Sequence, residues 1–419
     1  MPWKTFIVVI GGLLVGCAGP VVEEQQSIAV SAASAYPDFA DTMVAALVGR
    51  LDLGRYKATI EALTQFGDRL AGTARNQRAV EWIDAQLRSY GCPTERMQFV
   101  VDQSPTTPAE ALQAGAEPPP AEVIASGEIR RSVGGSRLRG ITRPMAPNDD
   151  PAAQPDETLR ALNAQEVAPG PSEQVYCTKV GTTRPDEMYI VGAHLDGRGF
   201  GEGADDNASG TALVMELARV FSGPDVETER SIRFALWNDE EGGSFGARAY
   251  VEQRGALQGR EAPAGSGAYP EPTWLGMIQH DMMLFDHGMP RADGSLGSTQ
   301  RPEADVNIEF QSSAELGDEA MALAFFFLDA NERYATDYPA AVGSHMTSTD
   351  SDVFMDIVPA ISLRENERGM HVEAGWNPNW HQATDLFVTY ADEDFRLGLN
   401  AAQTTLGAVA ELAGVRLRE

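Results

Sequence analysis

From Thr42 onward the apolar positions recur at helical spacing, and residues 55–70 and 75–90 read as two amphipathic helices. In the second, Ala79, Ile83 and Leu87 stand four residues apart on one face, and Gly91-Cys92-Pro93 stops the helix. Residues 96–101 alternate as a strand. Beyond Pro171, strand patterns and helical patterns take turns. Strands are predicted over 174–180, 188–194, 231–237, 275–280 and 360–364, and helices over 210–221, about 246–254, 318–336 and 392–414. Alternation of this kind predicts a three-layer α/β/α sandwich around a mixed, mostly parallel sheet covered on both faces. In such sheets ligands bind at the carboxyl ends of the strands.

Residues 101–172 break the pattern. They hold 11 of the 25 prolines and no aromatic residue. We expect a long, mostly irregular insertion outside the sheet, with a short hairpin near 121–142 as its one candidate element and with the cleft as a surface it could cover as a lid. No internal repeat is visible.

The first residues belong to export rather than to the fold. A short leader with Lys4 precedes ten apolar residues, 7–16, too few for a bilayer span of about 20. Leu14-Val15-Gly16-Cys17 resembles a bacterial lipobox, in which the thiol takes the lipid; the other reading is an ordinary signal peptide with an incidental cysteine. The expected organisation is a signal peptide at 1–16, a tether at 17–41 and a single domain at 42–419 carrying the insertion. Ala18 after the cysteine points to the periplasmic face of the outer membrane or to the cell surface. An oxidising compartment allows a disulfide between Cys92 and Cys177, the alternative being two separate buried thiols. Neither has a CxxC partner, so a cysteine-based metal site is excluded.

Composition narrows the function classes. The 43% hydrophobic content supports a sizeable core. A net charge of −29 excludes a uniformly basic nucleic-acid binder and charge-driven docking on anionic lipid, so membrane contact is expected through the lipid alone. Only Lys4, Lys57 and Lys179 are lysines, which fits either a GC-rich genome or a salt-adapted surface.

Five predicted strand ends carry residues able to hold a metal. His194 and Asp196 lie two apart, so both side chains point the same way and Asp196 can hold the far nitrogen of His194. Asp205 and Asp206 sit in a glycine-bounded turn before a helix. Glu240 and Glu241 follow the strand ending at Trp237, where adjacent carboxylates repel unless a cation or a shared proton relieves them. Asp281 ends a strand, and His381 lies in Asn379-Trp380-His381-Gln382-Ala383-Thr384-Asp385. Singly, each is an ordinary surface pair, helix start or cap.

Together they resemble the co-catalytic di-zinc aminopeptidases of metallopeptidase family 28, a family that also includes the glutaminyl cyclases. The resemblance covers roughly residues 60–100 and 174–412 and is strongest in GAHLDGRGFGEGADDNASG and LWNDEEGGSFGA. It implies His194 and Asp281 as terminal ligands of different metals, Asp205 as the bridge, and Glu241 and His381 completing the set. The pairing would be His194 with Glu241 against His381 with Asp281, or the crossed arrangement. It implies Glu240 as general base, Asp196 and Asp385 as orienters, and a cis peptide between Asp205 and Asp206. Two zinc ions are the implied cofactor, with cobalt or manganese as substitutes. The implied substrate is a peptide with a free N-terminus.

Departures from the family pattern are also legible. Many relatives place Tyr before the last histidine, where this chain has Trp380, a candidate for the substrate pocket. Relatives often show an Asp-His pair where this chain has Asp350-Ser351, and His345 is the candidate stand-in. His280 reads as structural, His287 as solvated and His371 as a possible cleft residue. The rival functions are a single-zinc glutaminyl cyclase, a carboxypeptidase or N-acyl amino acid deacylase, and a non-catalytic binding lipoprotein. Changing Cys17→Ser should release the protein from membranes with its activity intact; mass spectrometry of native protein showing unmodified Cys17 would contradict the anchor.

Overall fold

The apolar run 188–193 becomes the middle of strand β3, Arg184–His194, and its side chains divide between two cores. Tyr189, Val191 and Ala193 enter the larger core, and Met188 and Ile190 the smaller one across the sheet. Burial on both faces removes the polar alternation of a solvent-facing strand, which is why the run reads as continuous. The computed structural model describes residues 37–100, 147–168, 170–285, 306–365 and 377–418. Cys17, the hairpin near 121–142, His287 and His371 lie outside the described residues.

In chain order the described elements begin with α1 (Pro37–Val48), α2 (Leu53–Thr64), α3 (Ala74–Ser89) and β1 (Thr94–Phe99). After α4 (Glu157–Asn163) come β2 (Ser172–Lys179), β3, α5 (Gly210–Phe221), β4 (Val226–Glu227), β5 (Arg230–Trp237), α6 (Phe245–Arg254) and β6 (Thr273–His280). The remainder is β7 (Val306–Phe310), α7 (Gly317–Tyr334), β8 (Ala340–Gly343), β9 (Ala360–Arg364), α8 (Asp392–Ala413) and β10 (Arg416–Leu417). Eight strands form one sheet in the order β1-β2-β5-β3-β6-β9-β7-β8, while β4 and β10 pair separately. The central strands β5, β3, β6 and β9 are mutually parallel, and β1, β2 and β7 bring the antiparallel pairings. Helices α2, α3, α5, α7 and α8 cover the larger core; α6 covers the smaller one, where Tyr250 packs with Trp237, Trp274 and Phe354. The expected mixed α/β/α sandwich is the observed fold. None of the described helices is long and apolar enough to cross a membrane.

Three expectations need correction. Helix α1 starts at Pro37, inside the span assigned to the tether. The insertion is not irregular to its end: Asp156 caps α4 by accepting from the amides of Thr158 and Leu159, and β2 begins at Ser172. Strands β7 and β8 were not anticipated. β7 buries the polar Asn307 and Glu309 together with its apolar residues, and β8 is four half-buried residues, three of them Ala or Gly.

Parallel strands put four carboxyl ends side by side. His194 closes β3, Trp237 closes β5 just before Glu240 and Glu241, His280 closes β6 just before Asp281, and Arg364 closes β9. Away from that edge, Cys92 after α3 and Cys177 in β2 form a disulfide with Cα atoms 5.7 Å apart and a sequence separation of 85. A cross-link over so long a loop restricts the unfolded chain and stabilises by about 2–4 kcal/mol. The double Cys92→Ser, Cys177→Ser variant should therefore unfold at clearly lower urea, and an unchanged midpoint would contradict this.

Candidate metal centre

Six acidic and imidazole side chains from different loops converge at the strand ends. His194 Nε2 lies 3.3 Å from Asp206 Oδ1 and 3.3 Å from Asp281 Oδ1. His381 Nε2 lies 3.0 Å from Asp206 Oδ2 and 2.7 Å from Glu241 Oε2. One carboxylate, Asp206, thus offers one oxygen to each of two groups: His194 with Asp281, and His381 with Glu241. Glu240 stands beside them, its Oε2 4.0 Å from His194 Nε2.

The geometry replaces Asp205 by Asp206 at the shared position. Gly203, at φ +58°, admits the chain to the turn; a Cβ there would lie 2.8 Å from Arg69 Nη2. Asp206 and Asn207 then leave helical backbone, and the cis peptide joins Asp206 to Asn207, not Asp205 to Asp206. The preceding carboxylate turns away: Asp205 accepts from the amide of Leu284 and from Asn377 Nδ2, at 2.8 Å each. His194 and Asp281, expected on different metals, stand in one group, so of the two pairings left open by the sequence the crossed one is observed.

The two expected orienters act on backbone more than on imidazole. Asp196 accepts from the amides of Glu240 and Glu241, and its main-chain carbonyl lies 3.1 Å from His194 Nδ1. Asp385 accepts from the amides of Asp205 and Asp206 and from the Tyr390 hydroxyl. Both therefore hold acid-bearing turns in place.

Arg364 and Arg69 were missed. Arg364, buried at the end of β9, donates to Asp281 Oδ2. A charged residue closing an apolar parallel strand was the available signal. Fully buried Arg69 donates to the carbonyls of Leu195, Gly67, Glu202 and Gly203, tying together the segments that carry His194 and Asp206. It belongs to no motif, so only the structure reveals it.

The field at this point calls for positive charge. Burial alone would lower the His194 imidazole, but Asp281 and Glu240 raise it well above its ordinary value. Burial likewise opposes charge at His381, and Glu241 and Asp206 lift it to about 9. For Asp206, burial works upward and is outweighed by hydrogen bonds to His194 and His381, which hold its carboxyl well below the usual range. Burial pushes Glu240 far up, His194 partly counters it, and Glu241 adds to the rise. Asp205 behaves differently: burial and Asp385 lift it to about 8.

Protons on the imidazoles or divalent cations can satisfy such a field. The donors are nitrogen and oxygen only, a set that zinc accepts. Tetrahedral zinc with bonds of 2.0–2.1 Å spaces its ligand atoms roughly 3.3 Å apart, close to the separations around His194. Glu241 Oε1, buried without a hydrogen-bond partner among the described residues, is a further free donor. The residues present fit two such ions.

Other histidines divide as their environment dictates. His280 is held between the Gly192 carbonyl and the Thr405 hydroxyl, and burial lowers it to about 4, as befits a structural residue. His345 is exposed, so it does not take the place read as a stand-in. Buried Asp350 lies nearby instead, accepting from Gln279 Nε2 at 2.8 Å. Trp380 is stacked on the His381 ring with centroids 3.9 Å apart.

A family model described as Peptidase family M28 matches residues 175–396, more than half of the chain. The chain belongs to this peptidase family. A probable lipoprotein aminopeptidase of Mycobacterium tuberculosis, LpqL, is 28% identical over 228 residues, 54% of this chain and 42% of that protein. The chain spans less than half the length of the curated relatives it matches first. Among solved structures, BSAP, a zinc aminopeptidase from Bacillus subtilis, superposes with a TM-score of 0.56 at 16% identity, covering 88% of this chain and 96% of that one. A glutaminyl cyclase from Porphyromonas gingivalis gives 0.51 at 15% identity, covering 87% and 99%. At such identities the likeness is one of fold.

The M28 turn yields a direct contrast. Asp206→Asn should abolish zinc binding at both groups, whereas Asp205→Asn should keep both ions with affinity within about 10-fold of wild type. Zinc content after dialysis checks this, and the reverse order would overturn the placement.

Proposed function

We propose that this M28 chain is a zinc-dependent aminopeptidase. The observation that carries the reading is the single carboxylate of Asp206 shared between two imidazole–carboxylate pairs, with Glu240 beside them. His194, Asp281 and one oxygen of Asp206 would hold one ion; His381, Glu241 and the other oxygen would hold the second. Two such ions supply an acidified water and a Lewis acid for the scissile carbonyl.

The chain's own residues do the rest. Glu240 is the general base: it accepts a proton at Oε2 and returns it to the leaving amine. Burial raises its carboxyl, which moves a base toward the working pH. Asp196 holds the amides of Glu240 and Glu241 and so keeps base and ligand on their separate sides. Trp380 replaces the tyrosine of many relatives; its ring fixes one face of His381, and its indole can donate but not ionise. The acids at the strand ends and the net charge of −29 favour a cationic amine next to the scissile bond.

The disulfide fits an oxidising compartment, and LpqL is named a lipoprotein. The first supports export and the second a lipid anchor, for which Cys17 is the candidate; the periplasmic face of the outer membrane or the cell surface is the proposed location from Ala18 alone. The shared-carboxylate geometry favours two ions over the single zinc of a cyclase.

An aminoacyl anilide with a free amine should be hydrolysed and its N-acetylated counterpart should not. Glu240→Gln should keep both metals and lose about 10²–10⁴-fold in turnover, while Glu241→Gln should lose metal. Cyclisation of N-terminal glutamine without anilide hydrolysis would identify a cyclase. Cleavage of the acetylated substrate alone would identify a deacylase or carboxypeptidase.

A further inference from the structure

The described end of the proline-rich insertion lies against the loop that joins His194 to Asp206. Three side-chain amides from it reach three successive carbonyls. Asn148 Nδ2 donates to the Gly199 carbonyl at 3.0 Å, Gln154 Nε2 to that of Phe200 at 2.8 Å, and Asn163 Nδ2 to that of Gly201 at 2.6 Å. Arg69 takes the next two, at Glu202 and Gly203. Every carbonyl from 199 to 203 is thus held by a side chain.

The same segment also grips the loop of the other histidine. The main-chain N–H of Asn148 donates to the His381 carbonyl at 2.9 Å, and Gln154 Nε2 donates to that of Ala383 at 3.1 Å. Gln154 therefore joins the two loops through one NH2 group. Its orientation is settled by chemistry: both partners there are acceptors, while Gln154 Oε1 accepts from the Asp156 amide. The residue is 1% exposed. The loops touch backbone to backbone, since a Cβ on Gly199 would lie 2.3 Å from the carbonyl carbon of His381. His381 itself has φ +53°, a state that residues other than glycine rarely adopt and that the surroundings must enforce.

We infer that residues 148–163 are a positioning strap, with Gln154 its central residue, setting the position of His381 relative to Asp206. This rests on the metal reading above. The segment is therefore a fixed part of the centre rather than a cover that opens over it. A main-chain carbonyl left without its donor in this buried place would shift, and His381 would move with it. Changes to the partners that orient ligands cost about 10- to 100-fold in metal affinity.

The test is a cobalt(II) titration of the full chain, followed by absorption, with His381→Ala marking the step that belongs to that histidine. Gln154→Met keeps the side-chain volume and removes the donor. It should weaken the His381 step by about 10- to 100-fold and leave the His194 step changed by less than about 10-fold, below the cost of losing a ligand's partner. Asn148→Ala, at a half-buried position, keeps the main-chain N–H given to His381 and removes the side-chain donor to Gly199, whose backbone abuts that of His381; it should weaken the same step by less, and it decides the matter if Gln154→Met does not fold. A lower melting temperature with both steps unchanged, or with both weakened equally, would overturn the strap as a positioning element. Wild type binding no cobalt would instead overturn the metal reading, and the inference with it.

Discussion

Two imidazoles sharing one carboxylate set the terms for the rest of the centre. Asp206 can serve both His194 and His381 only if its two oxygens face opposite ways and both rings arrive from separate elements. That requirement explains the turn at Gly203, the non-helical backbone at Asp206 and Asn207, and the turning away of Asp205. It also explains the surplus of acid. Each half adds one more carboxylate, Asp281 or Glu241, and the field is completed by positive charge placed between them.

A parallel sheet supplies the rigid part of this arrangement and loops supply the rest. His194, Glu241 and Asp281 follow from three neighbouring strands, whose register is fixed by burial on both faces. His381 comes from a loop outside the sheet. Its position depends on hydrogen bonds to main-chain carbonyls and amides, made by Asp385 from its own segment and by the strap from residues 148–163. The more mobile kind of element thus receives the denser set of polar contacts.

What the sequence made legible follows from the same division. Strand ends bearing His194, Glu240, Glu241 and Asp281 could be located because apolar runs end abruptly in acids and histidine. The resemblance puts Asp205 at the bridge and the structure puts Asp206 there, because both lie in one turn and a single residue reverses which side chain points inward. Arg69 and Gln154 were invisible for another reason: each acts on carbonyls, which every residue possesses, so no spacing announces the partner. Strand β8 escaped notice because its four residues, Ala340–Gly343, have small side chains and half burial, and it is pairing with β7 that makes it a strand.

The central claim is that Asp206 is shared by two metal ions. Anomalous diffraction at the zinc edge from crystals of the zinc-loaded chain tests it most directly. The account predicts two peaks roughly 3.5–4 Å apart, one beside His194 and Asp281 and the other beside His381 and Glu241, with one Asp206 oxygen on each. A single peak, or two peaks joined by Asp205, would contradict it.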